Sequence, residues 1–289
     1  MAYDHVAGGD AASGPAVASP ADGAAGLSES GARPILELTH LKKRFPLKDK
    51  TVHVLEDVSL SVRPGEFISL VGASGCGKST ILKLIMALDE PTAGTISIDG
   101  APVSKPSPLC SMIFQESRLL PWLSVAGNID FTIPRSIDAE RRRELVRRHI
   151  ELVGLSGFEN ALPSQLSGGM QQRVSIARGL ATNPKLLLLD EPFGALDAFT
   201  RINLQNETLR IWEQEHTTML LVTHDIDEAI YLSDRIVVLS DKPGTVRSII
   251  DVTLPRPRDR SSLDFMDVRR SVMLALFQRP EDKEIEFYI

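Results

Sequence analysis

The sequence predicts an α/β fold in which helices cover a parallel sheet and a small antiparallel sheet precedes it. From Ile35 onward, short apolar runs alternate with segments of helical periodicity, and this alternation is typical of a parallel α/β core. The run at 186–189 is four leucines, which indicates a strand buried on both faces of the sheet. Two extended segments, 35–45 and 52–62, come before the core, and we expect them to pair antiparallel.

The individual elements follow from the same patterns. The turn Arg63-Pro64-Gly65 closes the antiparallel pair. Apolar residues recur at helical spacing as far as Leu88, and Gly154 is placed to cap the C-terminus of a later helix. The patterns predict strands at 66–71, 95–98, 111–114, 186–189, 219–223 and 235–239, and helices at 80–88, 139–153, 170–180, 198–216, 226–232 and 262–278.

The chain is expected to have three parts. Ala, Gly, Ser and Pro dominate residues 1–34, which predicts a disordered tail without the basic and apolar regions of a signal peptide. The main domain is predicted at 35–255, with a helical insertion at about 121–167. The remainder, 256–289, is expected to be a helical tail that packs on the core or on a second subunit, because apolar residues share one face of its helix.

Composition limits the kind of function. The chain has 289 residues, 43% of them apolar, a net charge of −6 and a pI near 5.6, which argues against a general nucleic-acid binder. The arginines between 141 and 148 are best explained as the solvated face of a helix. The chain has two cysteines, Cys76 and Cys110, which are far apart in the sequence. This usage suits a reducing cytosol. No apolar run reaches the ~18 residues of a membrane span, so any membrane contact is expected to go through a partner.

A glycine-rich segment follows the predicted strand at 66–71. It matches the pattern G-x-x-x-x-G-K-S/T in full and reads Gly72-Ala73-Ser74-Gly75-Cys76-Gly77-Lys78-Ser79. Glycines let successive N–H groups point at nucleotide phosphates, and the helix that follows adds the positive end of its dipole. We expect Lys78 to hold the β- and γ-phosphate oxygens and Ser79 to ligate Mg²⁺. The fold is therefore predicted to be that of a P-loop NTPase, with a RecA-like parallel sheet.

An acidic pair, Asp190 and Glu191, directly follows the four leucines. Charges at the end of a buried strand are costly unless they meet a cation or a reacting water. We expect Asp190 in the Mg²⁺ shell and Glu191 to polarise the water that attacks the γ-phosphate. The structural alternative is that a strand-end carboxylate caps the next helix.

The segment Ser167-Gly168-Gly169 lies between these two motifs along the chain. With them it resembles the signature motif of the nucleotide-binding subunit of ABC transporters, and the resemblance extends over roughly 35–252. It implies ATP and Mg²⁺, a helical subdomain that carries the signature, and nucleotide contacts along the loop and just after it, at Gly72, Ala73, Ser74, Gly75, Cys76, Gly77, Lys78, Ser79 and Thr80.

The resemblance also implies roles for four residues outside these motifs. Gln115 matches the Q-loop, which touches Mg²⁺ and senses the membrane partner, and Asp197 matches the D-loop. His224, in Val222-Thr223-His224-Asp225, matches the switch histidine that contacts the γ-phosphate. Phe45 stands where the family places an aromatic residue that stacks on adenine. The alternative for Phe45 is a core position in its strand.

The signature motif also has a physical meaning of its own. Ser167 and the N–H groups of Gly168 and Gly169 open a helix, and a helix N-terminus is an anion site. One chain already fills its own phosphate loop with a triphosphate. We therefore expect this second anion site to hold the γ-phosphate bound by another copy of the chain, unless Ser167 is merely an ordinary helix cap.

Three further segments are similar to the nitrate, sulfonate and taurine importers, namely Leu119-Leu120-Pro121-Trp122, Asp241-Lys242-Pro243-Gly244 and Leu254-Pro255-Arg256-Pro257-Arg258. The resemblance implies permease subunits docked at the Q-loop region, a solute-binding protein reached indirectly, and a peripheral location on the cytoplasmic face of the inner membrane. A soluble ABC ATPase of DNA repair or translation is the first alternative. A P-loop kinase is the second, although it has no use for the signature or for His224.

Overall fold

The computed structural model describes residues 33–48 and 50–277. Almost all of the predicted tail at 1–34 and the last twelve residues lie outside this range. The strands are β1 (Leu36–Leu47), β2 (Lys50–Val62), β3 (Phe67–Val71), β4 (Ala93–Ile98), β5 (Ala101–Pro102), β6 (Cys110–Ile113), β7 (Leu186–Asp190), β8 (Thr218–Val222), β9 (Arg235–Leu239) and β10 (Val246–Asp251). The helices are α1 (Lys78–Ile85), α2 (Val125–Asp130), α3 (Ala139–Leu152), α4 (Gly168–Leu180), α5 (Ala198–Glu215), α6 (Ile226–Leu232) and α7 (Leu263–Phe277).

The strands form two sheets. The first has the order β2-β1-β4-β5 and is antiparallel throughout. The second has the order β10-β9-β3-β8-β7-β6. Five of its strands run parallel, namely β9, β3, β8, β7 and β6, and β10 pairs antiparallel with β9 at one edge. Because parallel strands end at the same edge, the loops after β3, β6, β7 and β8 meet there.

The leucines of β7 show how the core is divided. Leu187 and Leu189 pack into a cluster with residues of α2 to α5. Leu186 and Leu188 face the other way, into a cluster formed with α1 and the antiparallel sheet. All four side chains are fully buried, as expected for a strand covered on both faces. The predicted α/β fold is confirmed.

The helical elements between β6 and β7 are α2, α3, a 3-10 turn at Pro163–Gln165, and α4. They share one apolar cluster with the parallel sheet, including Val125, Ile150 and Val174. Arg142 is an exception to the predicted solvated arginine face of α3, since its side chain is largely buried against Asp130. The domain limits themselves stay a prediction.

Several predicted bounds were wrong by a few residues. Helix α1 ends at Ile85, because Ala87 has a left-handed backbone with φ of 51°, and Leu88 is exposed beyond it. Helix α4 begins at Gly168, two residues before the predicted start. Helix α2 and strand β10 were missed, since α2 has only six residues and neither follows a clear apolar period.

The C-terminal helix was predicted well. Helix α7 buries Phe265 and Val272 in a third cluster, together with residues of α6, β9 and β10. It therefore packs on the core beside the helix that follows β8. None of the helices within residues 33–48 and 50–277 has the length and apolarity that crossing a bilayer needs.

Candidate functional site

The parallel register brings the predicted motifs together. Leu70 pairs with Val222, Val222 with Asp190, and Leu189 with Ile113. The glycine-rich loop, the switch histidine, the acidic pair and Gln115 each follow one of these strands. All four therefore lie along one edge of the sheet, where ligands bind in open α/β folds.

The glycine-rich loop is closed by its own lysine. The Lys78 Nζ donates to the carbonyl oxygens of Gly72 at 2.8 Å and Ala73 at 3.1 Å, and the side chain is 6% exposed. Gly77 has φ of 109°, and a Cβ there would lie 2.4 Å from Leu55 Cδ2. Only glycine fits such a position, because a side chain would be strained and would clash. The loop is thus a tight turn that holds the Lys78 ammonium against its own backbone.

Ser79 and Asp190 form an oxygen pair beside this cation. The Ser79 hydroxyl donates to Asp190 Oδ1 at 2.9 Å. Burial raises the pKa of Asp190, although the bond from Ser79 opposes the rise. A buried carboxylate is stabilised by a nearby cation, and Mg²⁺ prefers hydroxyl and carboxylate oxygens. These two residues therefore fit a magnesium ion.

Glu191 and His224 face each other at the ends of β7 and β8. The distance from His224 Nδ1 to Glu191 Oε2 is 3.1 Å. Glu191 has a left-handed φ of 47°, which is uncommon outside glycine and marks a constrained turn. Its backbone N–H donates to Val222 O at 2.9 Å, so strand β8 holds this turn in place. The Glu191 carboxylate and the His224 imidazole are therefore neighbours in a region that solvent can reach.

Gln115 and Phe45 lie at the margins of the site. A Cβ built on Gly194 would lie 3.2 Å from Gln115 Nε2, so the Gln115 amide sits beside the loop that follows β7. Phe45 is 39% exposed, and the Lys43 Nζ lies 4.7 Å from its ring centroid. The alternative of a core position for Phe45 is therefore wrong, because the ring is open to solvent.

The signature segment packs against the D-loop of its own chain. Ser167 caps α4 by accepting a bond from Met170 N at 3.3 Å. A Cβ on Gly169 would meet Thr200 Cγ2 at 2.5 Å, whereas one on Gly168 would lie in ordinary contact, 3.6 Å from Leu196 Cδ2. Asp197 caps α5 through its carboxylate. The structure gives Asp197 this structural contact, and its nucleotide contact stays a prediction.

The sequence interpretation missed the contact between the loop after β9 and the phosphate loop. A Cβ on Gly75 would lie 3.2 Å from Lys242 Nζ, and one on Gly244 would lie 2.1 Å from Cys76 O. The segment Lys242-Pro243-Gly244 was singled out only for its resemblance to importers. The contact itself could not be inferred, because it joins positions about 170 residues apart.

Two polar residues, Asn128 and Arg178, fix the backbone of the segment after Gln115. Asn128 is fully buried, and its side chain bonds the backbone of Leu120, Leu123 and Ser124. Arg178 donates to the carbonyl oxygens of Ser117 and Arg118. With this backbone fixed, Trp122 is held 72% exposed, which is unusual for so large an apolar side chain.

The chain matches known ATPase cassettes in both sequence and structure. A family model described as "ABC transporter" matches residues 55–194. The aliphatic sulfonates import ATP-binding protein SsuB of Bacillus cereus is 49% identical over 82% of this chain and 94% of its own length. The bicarbonate transport ATP-binding protein CmpC of Synechococcus elongatus is 46% identical, over 85% of this chain and 38% of its own length.

Solved structures give the same result. The dimeric structure of a post-hydrolysis state of the ATP-binding cassette MJ0796, bound to ADP and Pi, is 32% identical with a TM-score of 0.66, over 76% of this chain and 100% of its own. CbiO1 from Clostridium perfringens, part of the complex cbiONQ, supports the fold alone at 24% identity, with a TM-score of 0.70 over 84% of this chain and 95% of its own.

Fold, site and relatives define an ATP-binding P-loop NTPase that hydrolyses ATP. The chain belongs to the ABC transporter family, as the resemblance implied. The roles of individual site residues, and the presence of Mg²⁺, stay predictions.

Proposed function

We propose that this chain is the ATP-hydrolysing subunit of an importer for a small solute of the nitrate, sulfonate or taurine type. The observation that carries the proposal is the convergence of Lys78, the Ser79–Asp190 pair and the Glu191–His224 pair at one sheet edge. The names of the SsuB and CmpC relatives support import. They favour it over the soluble ABC ATPase of repair or translation.

Binding of ATP is assigned to the glycine-rich loop and Phe45. The backbone N–H groups of 72–80 surround the phosphates, and Lys78 exchanges its two carbonyl contacts for phosphate oxygens. The exposed ring of Phe45 stacks on adenine. Ser79, Asp190 and Gln115 would hold Mg²⁺, which when bound neutralises charge on the β- and γ-phosphates.

Hydrolysis is assigned to Glu191 and His224. Glu191 orients the attacking water and accepts its proton, and His224 donates a hydrogen bond to the γ-phosphate. The 3.1 Å contact between the two side chains keeps the carboxylate and the imidazole on the same side of the space that the γ-phosphate would fill. Because Nδ1 of His224 faces Glu191, the other ring nitrogen, Nε2, is free to donate to the phosphate.

The second anion site, at Ser167, Gly168 and Gly169, serves the ATP of another copy. Two chains then associate head to tail with two ATP molecules between them. A dimeric neighbour supports this arrangement. Hydrolysis removes the γ-phosphate that bridges the subunits, so the dimer opens.

Coupling to transport is assigned to the segment 117–124. Its exposed Trp122 on a fixed backbone suits a helix of a permease subunit, which would place the chain on the cytoplasmic face of the inner membrane. A solute-binding protein would act on the permease from the other side. We expect no nucleic-acid partner.

The test is ATPase activity of the chain in proteoliposomes with the permease encoded beside its gene. We expect one of taurine, an alkanesulfonate or nitrate, presented with its binding protein, to stimulate hydrolysis. Trp122→Ala should keep basal hydrolysis and lose the stimulation, whereas Phe158→Ala, which alters another exposed aromatic, should keep both. A chain that forms no complex with the permease, or whose hydrolysis ignores every solute, would contradict the importer assignment.

A further inference from the structure

Three polar side chains form a hydrogen-bonded chain beneath the switch histidine. They come from three separate elements, namely Gln205 on α5, Glu228 on α6 and Arg260 in the segment that leads to α7. The Arg260 Nη2 donates to Gln205 Oε1 at 2.5 Å, and Gln205 Nε2 donates to Glu228 Oε1 at 2.8 Å. Gln205 is 1% exposed and Glu228 4%. Buried polar groups of this kind are retained only when their hydrogen bonds are satisfied.

Glu228 connects this chain to both neighbours of His224. Its backbone N–H donates to Asp225 Oδ1 at 3.1 Å. The backbone N–H of Asp225 in turn donates to Thr223 Oγ1 at 3.0 Å. Glu228 therefore holds Asp225, the residue after His224, and through Asp225 it reaches Thr223, the residue before His224.

Gln205 connects the same point to the D-loop helix. Helix α5 begins just after Asp197, and its first turn packs on the signature glycines. Gln205 lies eight residues further along α5, about two turns. A shift of this helix would therefore act on Glu228 directly. The helix that follows the D-loop and the helix that follows the switch histidine are thus joined by one buried hydrogen bond.

The segment before α7 also holds the far end of α6. Arg258, which is 6% exposed, donates to the carbonyl oxygens of Ser233 at 2.6 Å and Val252 at 3.0 Å. Arg256 donates to Leu232 O at 2.6 Å. The bonds to Leu232 and Ser233 satisfy carbonyl groups at the end of helix α6, which have no partner within the helix. The segment thus fixes α6 at its C-terminus, and it reaches Glu228 near its N-terminus through Arg260.

We propose that Glu228, Gln205 and Arg260 are positioning residues that set His224 against Glu191, so that the segment before α7 controls the rate of ATP hydrolysis. This inference rests on the proposed role of His224 at the γ-phosphate. It assigns the C-terminal segment a part in turnover, not only in packing. The Arg260 guanidinium also lies 4.2 Å from the Tyr231 ring centroid, which fixes its position beside α6.

The experiment is steady-state ATP hydrolysis by the full chain, with kcat, KM and Tm measured for each variant. Arg260→Ala and Gln205→Met should each lower kcat by about tenfold, because a small misplacement of a catalytic group is costly, with KM for ATP changed less than about twofold. Arg260→Lys should recover part of the loss. The double variant should be no worse than the poorer single variant, since both break one chain of contacts.

The matched control is Arg247→Ala. Arg247 anchors α7 through the carbonyl oxygens of Ala275 and Leu276 and has no contact with the switch loop. We expect this variant to lower Tm and keep kcat. Wild-type kcat in Arg260→Ala, or an equal kcat loss in Arg247→Ala, would overturn the inference. If Gln205→Met fails to fold, Arg260→Ala and Arg260→Lys decide the question.

Two reference variants separate this inference from the proposed function. His224→Ala and Glu191→Gln should abolish most hydrolysis. If they do while Arg260→Ala and Gln205→Met retain wild-type kcat, the positioning role alone is wrong. If His224→Ala hydrolyses ATP normally, the proposed role of His224 is wrong and the inference falls with it.

Discussion

At the scale of single residues, we propose that different side chains of the site hold the phosphates and activate water. Lys78 sits in the mouth of the loop with its ammonium on two carbonyl oxygens. Glu191 sits across the site on a constrained turn, next to His224. Lys78 begins helix α1 and Glu191 follows strand β7, and their hydrogen bonds go to different residues, so their substitutions should have separable effects.

Lys78→Ala should weaken ATP binding and Glu191→Gln should not. A hydrogen bond to a charged group contributes about 1.5–3 kcal/mol, so we expect affinity to fall about 10–100-fold in Lys78→Ala. Glu191→Gln keeps the shape of the side chain and loses the base, and turnover should fall about 10²–10⁴-fold. Titration with a fluorescent nucleotide measures the affinity, and a phosphate-release assay measures the turnover, so together they distinguish the two variants. Normal turnover in Glu191→Gln would show that Glu191 is not the base.

The site residues that could be predicted from the sequence are those that a short run of neighbouring residues identifies. Lys78 and Ser79 are recognised from eight consecutive positions, and Asp190 from the apolar run before it. Lys242 and Gln205 act through contacts with distant segments, at Gly75 and Glu228. No local pattern marks such contacts, which is why sequence reasoning passed over them.

At the scale of elements, prediction succeeded where burial imposes a period. Strand β7 lies between two apolar clusters, and its sequence shows this directly. The end of α1 depends instead on one left-handed residue, Ala87, which composition does not reveal. Strand β10 forms only on the edge of the sheet, where an apolar period is not required.

The loop between β9 and β10 provides a prediction at this scale. In Gly244→Ala the new Cβ would lie 2.1 Å from Cys76 O, so this loop must move away from the phosphate loop. We expect a loss of about 1–3 kcal/mol in the free energy of unfolding, as for other overpacked sites, together with weaker ATP binding. Chemical denaturation and nucleotide titration measure the two effects.

Gly168→Ala is the matched control, because its Cβ would lie in ordinary contact, 3.6 Å from Leu196 Cδ2. We expect it to leave the free energy of unfolding nearly unchanged. Equal stability of Gly244→Ala and the wild type would show that the β9–β10 loop does not support the phosphate loop.

At the scale of the whole molecule, we propose that one chain carries two anion sites that face different nucleotides. The phosphate loop contacts β2 and the β9–β10 loop, whereas the signature helix contacts the start of α5. On this proposal each reaction centre would be completed by a second copy, and hydrolysis would require association. The family relationship could be read from the order of the motifs, but the transported solute could not, because the ATPase subunit does not touch it.

The most direct measurement is sedimentation velocity of Glu191→Gln with and without saturating Mg-ATP. The composite site predicts a monomer without nucleotide and a dimer with it. Adding Gly168→Asp should keep ATP binding and abolish the dimer, because a Cβ at Gly168 makes only an ordinary contact within its own chain and the new carboxylate should repel the partner's γ-phosphate. A Glu191→Gln protein that stays monomeric with ATP bound, or a double variant that dimerises equally well, would contradict the two-chain reaction centre.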